Sequence, residues 1–353
     1  MAIADVRAAF RWQAEHAAEA LAPATARIVR AGLAVMAGET RLGRALAGWP
    51  RPSLEDALPL RMAAGFHHLF LTGDAPELGP VYAGALTDQH AVDARCSALA
   101  ERFDTRLLDW LRGPPQTNEA GRGASIVAGL LWLAQHLGPR FDLTEIGASA
   151  GVNTMLDRYR FDLGGVAIGP ADSPMRIVPE WRGPPPPAGP LTIAGIAGCD
   201  IAPVDLADPA AALRLKAYVW PDAGARMARL DTAIALAAER RPDLVQMDAG
   251  RFVAERLARP QQPGTTRALF HTVMWQYLPQ ATRAAITAAM ERAGAQASAE
   301  RPLAWLRLET NRATFRHELT VRWWGGPGSG AADWVQLGEA HPHGAWITWL
   351  AGR

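Results

Sequence analysis

The spacing of apolar residues divides the chain into two regions of different texture. From the N-terminus to about residue 138, apolar residues recur at helical spacing in segments such as VRAAFRWQAEHAAEALA and SIVAGLLWLAQHL. Glycine and proline separate these segments, and no convincing strand alternation occurs among them. The pattern predicts an all-helical N-terminal domain over residues 1–115.

After residue 140, short apolar runs of strand length alternate with helical stretches. The runs are FDLTEI, LTIAGIAG, DLVQMD, RALFHTVM and PLAWLRLE, and the clearest helices between them are LDTAIALAAERR and ATRAAITAAMERAG. This alternation predicts right-handed parallel crossovers. HELTVRWW, the glycine-rich connection GGPGSGAAD and the final strand patterns predict a hairpin. The expected fold over residues 116–353 is α/β, with a doubly wound, mostly parallel sheet and a C-terminal antiparallel hairpin.

Composition narrows the possible partners. The formal net charge is +1, which removes the usual electrostatic reason to expect a nucleic acid or an anionic membrane. Two cysteines, Cys96 and Cys199, cannot form a disulfide framework or a cysteine-based zinc site, and we expect no metal. Neither a signal-peptide pattern nor an uninterrupted apolar run of about 18 residues occurs. We therefore expect a cytoplasmic protein that does not span a membrane.

The most informative segment covers residues 141–161. The run FDLTEI contains Glu145 near its end, and a loop of small residues, Gly147 to Gly151, follows before an amphipathic segment opens at Val152. Strand, small-residue turn and helix in this order accommodate a nucleotide-like ligand. Glycine allows a tight turn and close approach of the backbone to the ligand, and the start of a helix offers unpaired N–H groups.

The same loop, GASAG, also matches G-x-S-x-G, the nucleophile elbow of serine hydrolases. That interpretation makes Ser149 the nucleophile, with Asp248 and either His341 or His343 as partners. It is disfavoured because an elbow normally follows several strands of its sheet, whereas only helices are predicted before residue 141. A dinucleotide site is also disfavoured, because the glycine spacing differs from G-x-G-x-x-G and the acid precedes the loop.

The segment E-I-G-A-S-A-G, residues 145–151, resembles the first motif of class I S-adenosylmethionine-dependent methyltransferases, with serine in place of the middle glycine. TNEAGR, GASAGVN, DRYRF, YVWPD and FHTVMWQYLP together resemble a bacterial family of uncharacterised proteins within that superfamily. The resemblance implies a Rossmann-like methyltransferase domain over residues 116–353. It also implies S-adenosylmethionine as cofactor and methyl transfer to an acceptor, which we expect to be a small molecule. A non-catalytic cofactor-binding protein of the same fold is the alternative.

The resemblance also implies where the cofactor binds. Glu145 would hold its amino group, Arg122 its carboxylate, and Asp200, or as second choice Asp205, its ribose hydroxyls. Asp248 would accept a hydrogen bond from the adenine amino group, unless it only caps the following helix. The expected cofactor-binding residues are Glu145, Gly147, Ala148, Ser149, Gly151, Asn153, Asp200, Asp248, Ala249 and Arg122.

Catalytic and acceptor-binding residues are expected at the end of the fourth strand and in TNEAGR. FHTVMWQYLP lacks the Asn- or Asp-Pro-Pro-Tyr pattern with which many members bind their acceptor, so methylation of DNA or glutamine amides of that type is not expected. In TNEAGR, Thr117 is expected to be the N-cap of the following helix. The expected catalytic residues are His271, Glu119 and Tyr277, with His271 or Glu119 as base, and the expected acceptor-binding residues are Asn118, Trp275 and Gln276.

Overall fold

A computed structural model describes residues 5–50, 56–113, 115–326 and 334–351. The chain divides into two compact units. The first comprises Met1–Thr117 and Asp208–Ala228, and the second comprises Asn118–Ala207 and Arg229–Arg353. The first unit thus holds residues 208–228 in addition to the N-terminal region that was expected to form the helical domain.

The helices and strands are numbered along the chain. The helices are α1 (Val6–Glu19), α2 (Pro23–Val35), α3 (Arg41–Ala47), α4 (Leu58–Leu71), α5 (Gly79–Tyr82), α6 (Gln89–Arg102), α7 (Asp104–Leu108), α8 (Gly123–Leu137), α9 (Pro209–Ala217), α10 (Gly224–Glu239), α11 (Ala249–Ala258) and α12 (Gln280–Gly294). The strands are β1 (Arg140–Ile146), β2 (Arg160–Leu163), β3 (Val166–Ile168), β4 (Arg176–Ile177), β5 (Glu180–Arg182), β6 (Thr192–Asp200), β7 (Leu244–Gln246), β8 (Thr266–Thr272), β9 (Leu303–Thr310), β10 (His317–Trp324), β11 (Val335–Ala340) and β12 (Trp346–Trp349).

All regular secondary structure in the described residues of the first unit is helical. Its helices bury their apolar faces in one core, which includes Phe10, Ile28, Met62 and Phe66. Apolar residues recur at helical spacing along these helices, so folding buries one face of each helix. This burial stabilises the unit by about 25 cal/mol per Å² of apolar surface removed from water. Within residues 5–50 and 56–113 no strand is present, as the hydrophobic pattern predicted.

Hydrogen bonds of two side chains, Asp222 and His67, join residues 208–228 to the N-terminal helices of this unit. The carboxylate of Asp222 accepts hydrogen bonds from the backbone N–H groups of Ala24 and Thr25, both at 2.9 Å. These donors open α2 and have no partner within their own helix. The Nδ1 atom of His67 on α4 lies 3.1 Å from the carbonyl oxygen of Ala217 at the end of α9.

The second unit contains a nine-stranded sheet in the order β5-β12-β11-β10-β9-β8-β1-β6-β7. β1 pairs in parallel with β6 and β8, and the parallel pairing continues to β7 and β9. β9, β10, β11 and β12 are joined by antiparallel pairs. The predicted α/β class, with a mostly parallel doubly wound sheet and antiparallel C-terminal strands, is confirmed. Most of the predicted GGPGSGAAD connection, residues 327–333, lies outside the described residues.

Helices cover the two faces of the sheet at its centre. On one face Gly129 of α8 approaches β9 so closely that a Cβ atom would lie 2.9 Å from Leu306. On the other face Val253 of α11 and Ile286 of α12 join Leu269 and Trp305 in one apolar cluster. Parallel strands covered on both sides are buried throughout, which explains why β8 shows no alternation in sequence.

Residues 160–190, between β1 and β6, contain four short strands. β2, β3 and β4 within this segment form a small three-stranded sheet, and β5 pairs with β12 at the edge of the large sheet. The helix expected to open at Val152 is instead a pair of short 3₁₀ turns within Val152–Arg158, separated by a kink at Met155 with φ of −109° and ψ of 19°.

The order of the large sheet reverses next to β1. From β1 the chain continues to β6 and β7 on one side, and later to β8 and β9 on the other. The carboxyl ends of β1 and β8 therefore flank a topological switch point, which is where open α/β sheets bind ligands. The loops that leave this point are residues 147–151 and 273–277.

Candidate functional site

The loop after β1 is held against the end of β6. The N–H group of Ala148 donates to the carbonyl oxygen of Cys199 at 2.9 Å, and the N–H group of Ser149 donates to the Asp200 carboxylate at 2.8 Å. Gly198 on β6 permits this approach, because a Cβ atom there would lie 2.8 Å from that of Ala148. The small residues of both segments thus allow the loop and the strand to pack at backbone distance.

Backbone strain is present in both loops at the switch point. Gly147 and Gly151 have φ of 65° and 71°, a conformation that glycine adopts readily. Ser149 has φ of 53° and Val273, directly after β8, has φ of 52°, although both carry side chains. Such conformations are uncommon, above all for a β-branched residue, and cost on the order of 1–3 kcal/mol each. Strain of this kind is concentrated at ligand and catalytic sites.

Several backbone donors of the first loop are paired within the protein. The N–H group of Val152 donates to the side-chain oxygen of Asn118 at 2.7 Å, and that of Gly151 donates to the carbonyl oxygen of Ala148 at 2.8 Å. The N–H group that opens this helix start, that of Val152, is therefore not one of the unpaired donors that were expected. A phosphate would need such donors and a longer helix behind them, so this geometry disfavours a nucleotide phosphate.

Glu145, near the end of β1, is buried without a complete set of partners. Its side chain is 1% exposed, and its Oε2 atom makes no hydrogen bond. Burial raises the pKa of this carboxyl group well above its ordinary value, while neighbouring Asn153 and Arg122 oppose the shift. The Ser149 hydroxyl and both amide atoms of the buried Asn153 also lack well-formed hydrogen bonds. Unsatisfied buried polar atoms cost about 1–3 kcal/mol each, and a ligand that pairs with them recovers this energy.

The space in front of Gly147 is not empty. A Cβ atom at Gly147 would lie 2.6–2.9 Å from the side-chain atoms of Met274. The Met274 side chain therefore fills the space in front of this loop. Met274 is half-buried, and its unbranched side chain can adopt other rotamers.

The acids at the ends of β6 and β7 bind backbone groups. The Asp200 carboxylate accepts from the N–H group of Ala202 at 2.9 Å as well as from that of Ser149. It therefore binds the loop after β1 and the loop after β6. Asp205 lies beyond the strand and is exposed; its carboxylate accepts from the N–H group of Ala207 at 2.9 Å and forms a 3.7 Å ion pair with Arg241. Asp248 is the N-cap of α11, where it accepts from the N–H group of Arg251 at 3.1 Å. Ala249 follows as the first, buried residue of that helix.

The TNEAGR segment packs beside the same loops. Glu119, and not Thr117, is the N-cap, because its carboxylate accepts from the N–H group of Gly121 at 3.1 Å. The same oxygen of Glu119 accepts from Arg229 Nε at 2.8 Å. Arg122 is buried, and its guanidinium donates to the carbonyl oxygens of Pro342 at 2.7 Å and, more weakly, Thr272 at 3.5 Å. These hydrogen bonds tie Arg122 to backbone groups at the end of β8 and before β12.

The end of β8 brings a histidine and a carboxylate together. His271 is fully buried, and its Nδ1 atom lies 2.6 Å from Oε1 of Glu309 on β9. The ring of Trp275 stacks on His271 with 4.9 Å between ring centroids. Gln276 and Tyr277 lie on the same 3₁₀ turn, where Gln276 is half-buried and Tyr277 is 60% exposed. Sequence reasoning missed Glu309, although a carboxylate near the carboxyl end of the neighbouring strand PLAWLRLE was a usable signal.

The serine-hydrolase alternative finds no assembled triad. The Ser149 hydroxyl has no hydrogen-bond partner, so no histidine activates it. Asp248 caps α11, and His341 Nδ1 accepts from the N–H group of His343 at 3.1 Å.

Across the described parts of the chain, no cluster of three or more His, Cys, Asp or Glu side chains is arranged to hold a metal ion. In the same parts no helix is both long and apolar enough to cross a membrane.

Fold and site together define an α/β protein with a doubly wound sheet and a strained, polar switch point. The chain belongs to the family described as "Uncharacterized protein conserved in bacteria (DUF2332)", which it matches over residues 7–349. Comparison with curated proteins and with solved structures gave no match. The predicted membership of an uncharacterised bacterial family is confirmed, and the link to methyltransferases stays a prediction.

Proposed function

We propose that the protein binds S-adenosylmethionine at the switch point and transfers its methyl group to a small-molecule acceptor. The observation that carries the proposal is Glu145, a fully buried carboxyl group with an unpaired oxygen at the end of the central strand. A cationic group beside Glu145 would supply the missing partner and restore its charged form. S-adenosylmethionine carries an ammonium and a sulfonium and has no phosphate, which suits a loop in which the N–H groups of Ala148, Ser149 and Gly151 already have partners.

The residues of the site fit this cofactor in part directly and in part after one side-chain movement. Glu145 would bind the ammonium group, and the unpaired Ser149 hydroxyl and Asn153 amide lie on the same loop and the turn that follows. Asp200 and Asp248 lie at the ends of the next two strands, where we expect the ribose and adenine. Met274 has to leave Gly147 for the loop to receive the ligand. When bound, the cofactor supplies an electrophilic methyl group.

Of the two expected bases, His271 is better suited than Glu119 to accept a proton. The Oε1 atom of Glu119 already accepts from Arg229 Nε and from the N–H group of Gly121. His271 retains an unpaired Nε2 atom. Tyr277 is too exposed to act in an environment from which water is excluded. The other expected acceptor residues, Trp275 and Gln276, lie on the turn next to His271.

A small, neutral or zwitterionic acceptor and a cytoplasmic location are part of the proposal. The net charge of +1 offers no field for a polyanion, and the described residues contain no helix suited to a membrane. A non-catalytic cofactor-binding protein would share the binding site but lack methyl transfer.

Calorimetry tests cofactor binding. Wild-type protein is titrated with S-adenosylmethionine and S-adenosylhomocysteine, and Glu145→Gln is compared with Glu255→Gln, a control at an exposed position on α11. Loss of a charge-assisted contact lowers affinity by about 10- to 100-fold in Glu145→Gln, and the control stays within about twofold of wild type. No heat of binding for either compound at millimolar concentration would reject the proposal.

Methyl transfer is tested separately. The protein is incubated with methyl-tritiated S-adenosylmethionine and a small-molecule extract of bacterial cells, and the labelled products are separated by chromatography. Label in a product other than the cofactor identifies an enzyme. Binding without any labelled product favours the non-catalytic alternative.

A further inference from the structure

Glu309 organises the end of β8 through a single carboxylate oxygen. Its Oε1 atom lies 2.6 Å from His271 Nδ1 and accepts the backbone N–H groups of Met274 at 3.1 Å and Trp275 at 3.2 Å. One oxygen therefore holds both the imidazole ring and the backbone of the loop that follows the strand. Glu309 itself is 14% exposed at its side chain, so these contacts are shielded from water.

The contact with Glu309 decides which nitrogen of His271 carries the proton. A neutral imidazole has one donor and one acceptor nitrogen, and the partner of one nitrogen selects the tautomer. A carboxylate only accepts, so Nδ1 carries the hydrogen and the lone pair is on Nε2. Nε2 is buried and has no hydrogen-bond partner. The ring plane is fixed by the stacked Trp275 and by Trp305, whose centroid is 6.1 Å away in an edge contact.

The same carboxylate acts on the strained loop. Val273, with its φ of 52°, is followed directly by the two residues whose N–H groups Glu309 accepts. The N–H group of Val273 itself donates to the carbonyl oxygen of Leu308 on β9 at 2.9 Å. Because Met274 covers Gly147, Glu309 connects the histidine with the side chain that must move for a ligand to reach the loop.

We propose that Glu309 is a positioning residue, which holds His271 in the Nδ1–H tautomer so that Nε2 takes the proton of the methyl acceptor. This inference rests on the proposed methyl transfer. As a lone pair of an acceptor O–H or N–H group bonds to the methyl carbon, the carbon–sulfur bond breaks and its electron pair stays on sulfur. The acceptor proton passes to Nε2, and Glu309 balances the imidazolium charge. The acceptor is thus a molecule with an O–H or N–H nucleophile.

The tautomer is read by ¹⁵N NMR of histidine-labelled protein without any ligand. His271 is assigned with His271→Asn, and Glu309→Leu is compared with Glu318→Leu, which alters the carboxylate directly opposite on β10. Wild type and Glu318→Leu are expected to show an unprotonated Nε2, whereas in Glu309→Leu the hydrogen moves to Nε2. A protonated Nε2 in wild type, or an unchanged tautomer in Glu309→Leu, would overturn the proposal.

Glu309→Gln keeps an accepting oxygen and the shape of the side chain, but removes the charge. Using methyl-tritiated S-adenosylmethionine and bacterial small-molecule extract, we expect its rate of label transfer to fall about 100-fold, with cofactor affinity within about twofold of wild type. Transfer at the wild-type rate contradicts the role of Glu309. Absence of cofactor binding in wild type rejects the proposed function instead, and the NMR comparison then still decides whether Glu309 sets the tautomer.

Discussion

The sharpest prediction is that Glu145→Gln makes the ligand-free protein more stable while it weakens cofactor binding. The wild-type carboxyl group is buried and its Oε2 atom has no donor, and both amide atoms of neighbouring Asn153 lack well-formed hydrogen bonds. Glutamine has nearly the same shape but carries no charge, so its burial avoids the desolvation cost of a carboxylate. A residue retained for a ligand, and not for stability, is expected to behave in this way.

The size and the pH dependence of the effect follow from the burial of Glu145. An unsatisfied buried acceptor costs about 1–3 kcal/mol, and each kcal/mol changes Tm by about 2–4 °C for a unit of this size. The folded pKa of Glu145 is raised above its ordinary value of 4.5 by burial. The stability that Glu145 contributes is therefore complete below pH 4.5 and is lost as the pH rises towards the folded pKa. The advantage of Glu145→Gln over wild type grows across the same window.

Differential scanning calorimetry of both proteins between pH 4.5 and pH 8 measures the stability, and titration calorimetry with S-adenosylmethionine measures the binding. Glu255→Gln serves as the exposed control in both. A lower Tm in Glu145→Gln, together with unchanged cofactor affinity, would show that Glu145 has a structural role and is no ligand for the cofactor.

Three further predictions follow from individual contacts. Met274→Ala removes the side chain in front of Gly147 and should raise S-adenosylmethionine affinity by about 3- to 10-fold in calorimetry; a weaker affinity contradicts the assignment of this space to the ligand. Both Ser149→Gly and Ser149→Ala remove the unpaired hydroxyl, but only Ser149→Gly also relieves the positive φ, so it should be more stable to urea than Ser149→Ala by about 1 kcal/mol; equal stability of the two variants contradicts the assignment of strain to this residue. Burial lowers the pKa of His67 below 6.5, so the stability it contributes is present above pH 6.5 and lost as the pH falls. The free energy of unfolding of His67→Gln should therefore fall less between pH 6.5 and pH 4.5 than that of wild type. An equal fall in both proteins would show that groups other than His67 cause the acid sensitivity.

Local patterns were sufficient for most of the secondary structure. FDLTEI became β1 and PLAWLRLE became β9 within one residue at each end, because run length and burial on both faces are visible in the sequence. The capping of TNEAGR by Glu119 in place of Thr117 was not visible, since both residues are able to cap and their backbone angles decide. The short 3₁₀ turns after Gly151 were missed for a similar reason, because the kink at Met155 depends on backbone angles that the residue types do not reveal.

The contacts of the site depend on pairings between distant parts of the chain. Glu309 meets His271 across 38 residues because β8 and β9 are adjacent in register, and Met274 reaches Gly147 because β8 also lies beside β1. Neither contact has a signature in the spacing of the residues. The orphaned atoms of Glu145 and Asn153 are likewise a property of burial, which a sequence does not report for a polar side chain.

The amino-acid sequence by itself determined the α/β class, the order of helices and strands in the second half and the position of the small-residue loop after β1. These features depend on the spacing of hydrophobic residues and on the positions of glycine. Both influence the backbone only over a few neighbouring residues. Only the tertiary structure decided that residues 208–228 fold with the N-terminal helices, that Asp248 caps a helix and that Glu309 holds His271. The physical reason is that hydrogen bonds and burial of polar groups are set by whichever elements the sheet order brings together.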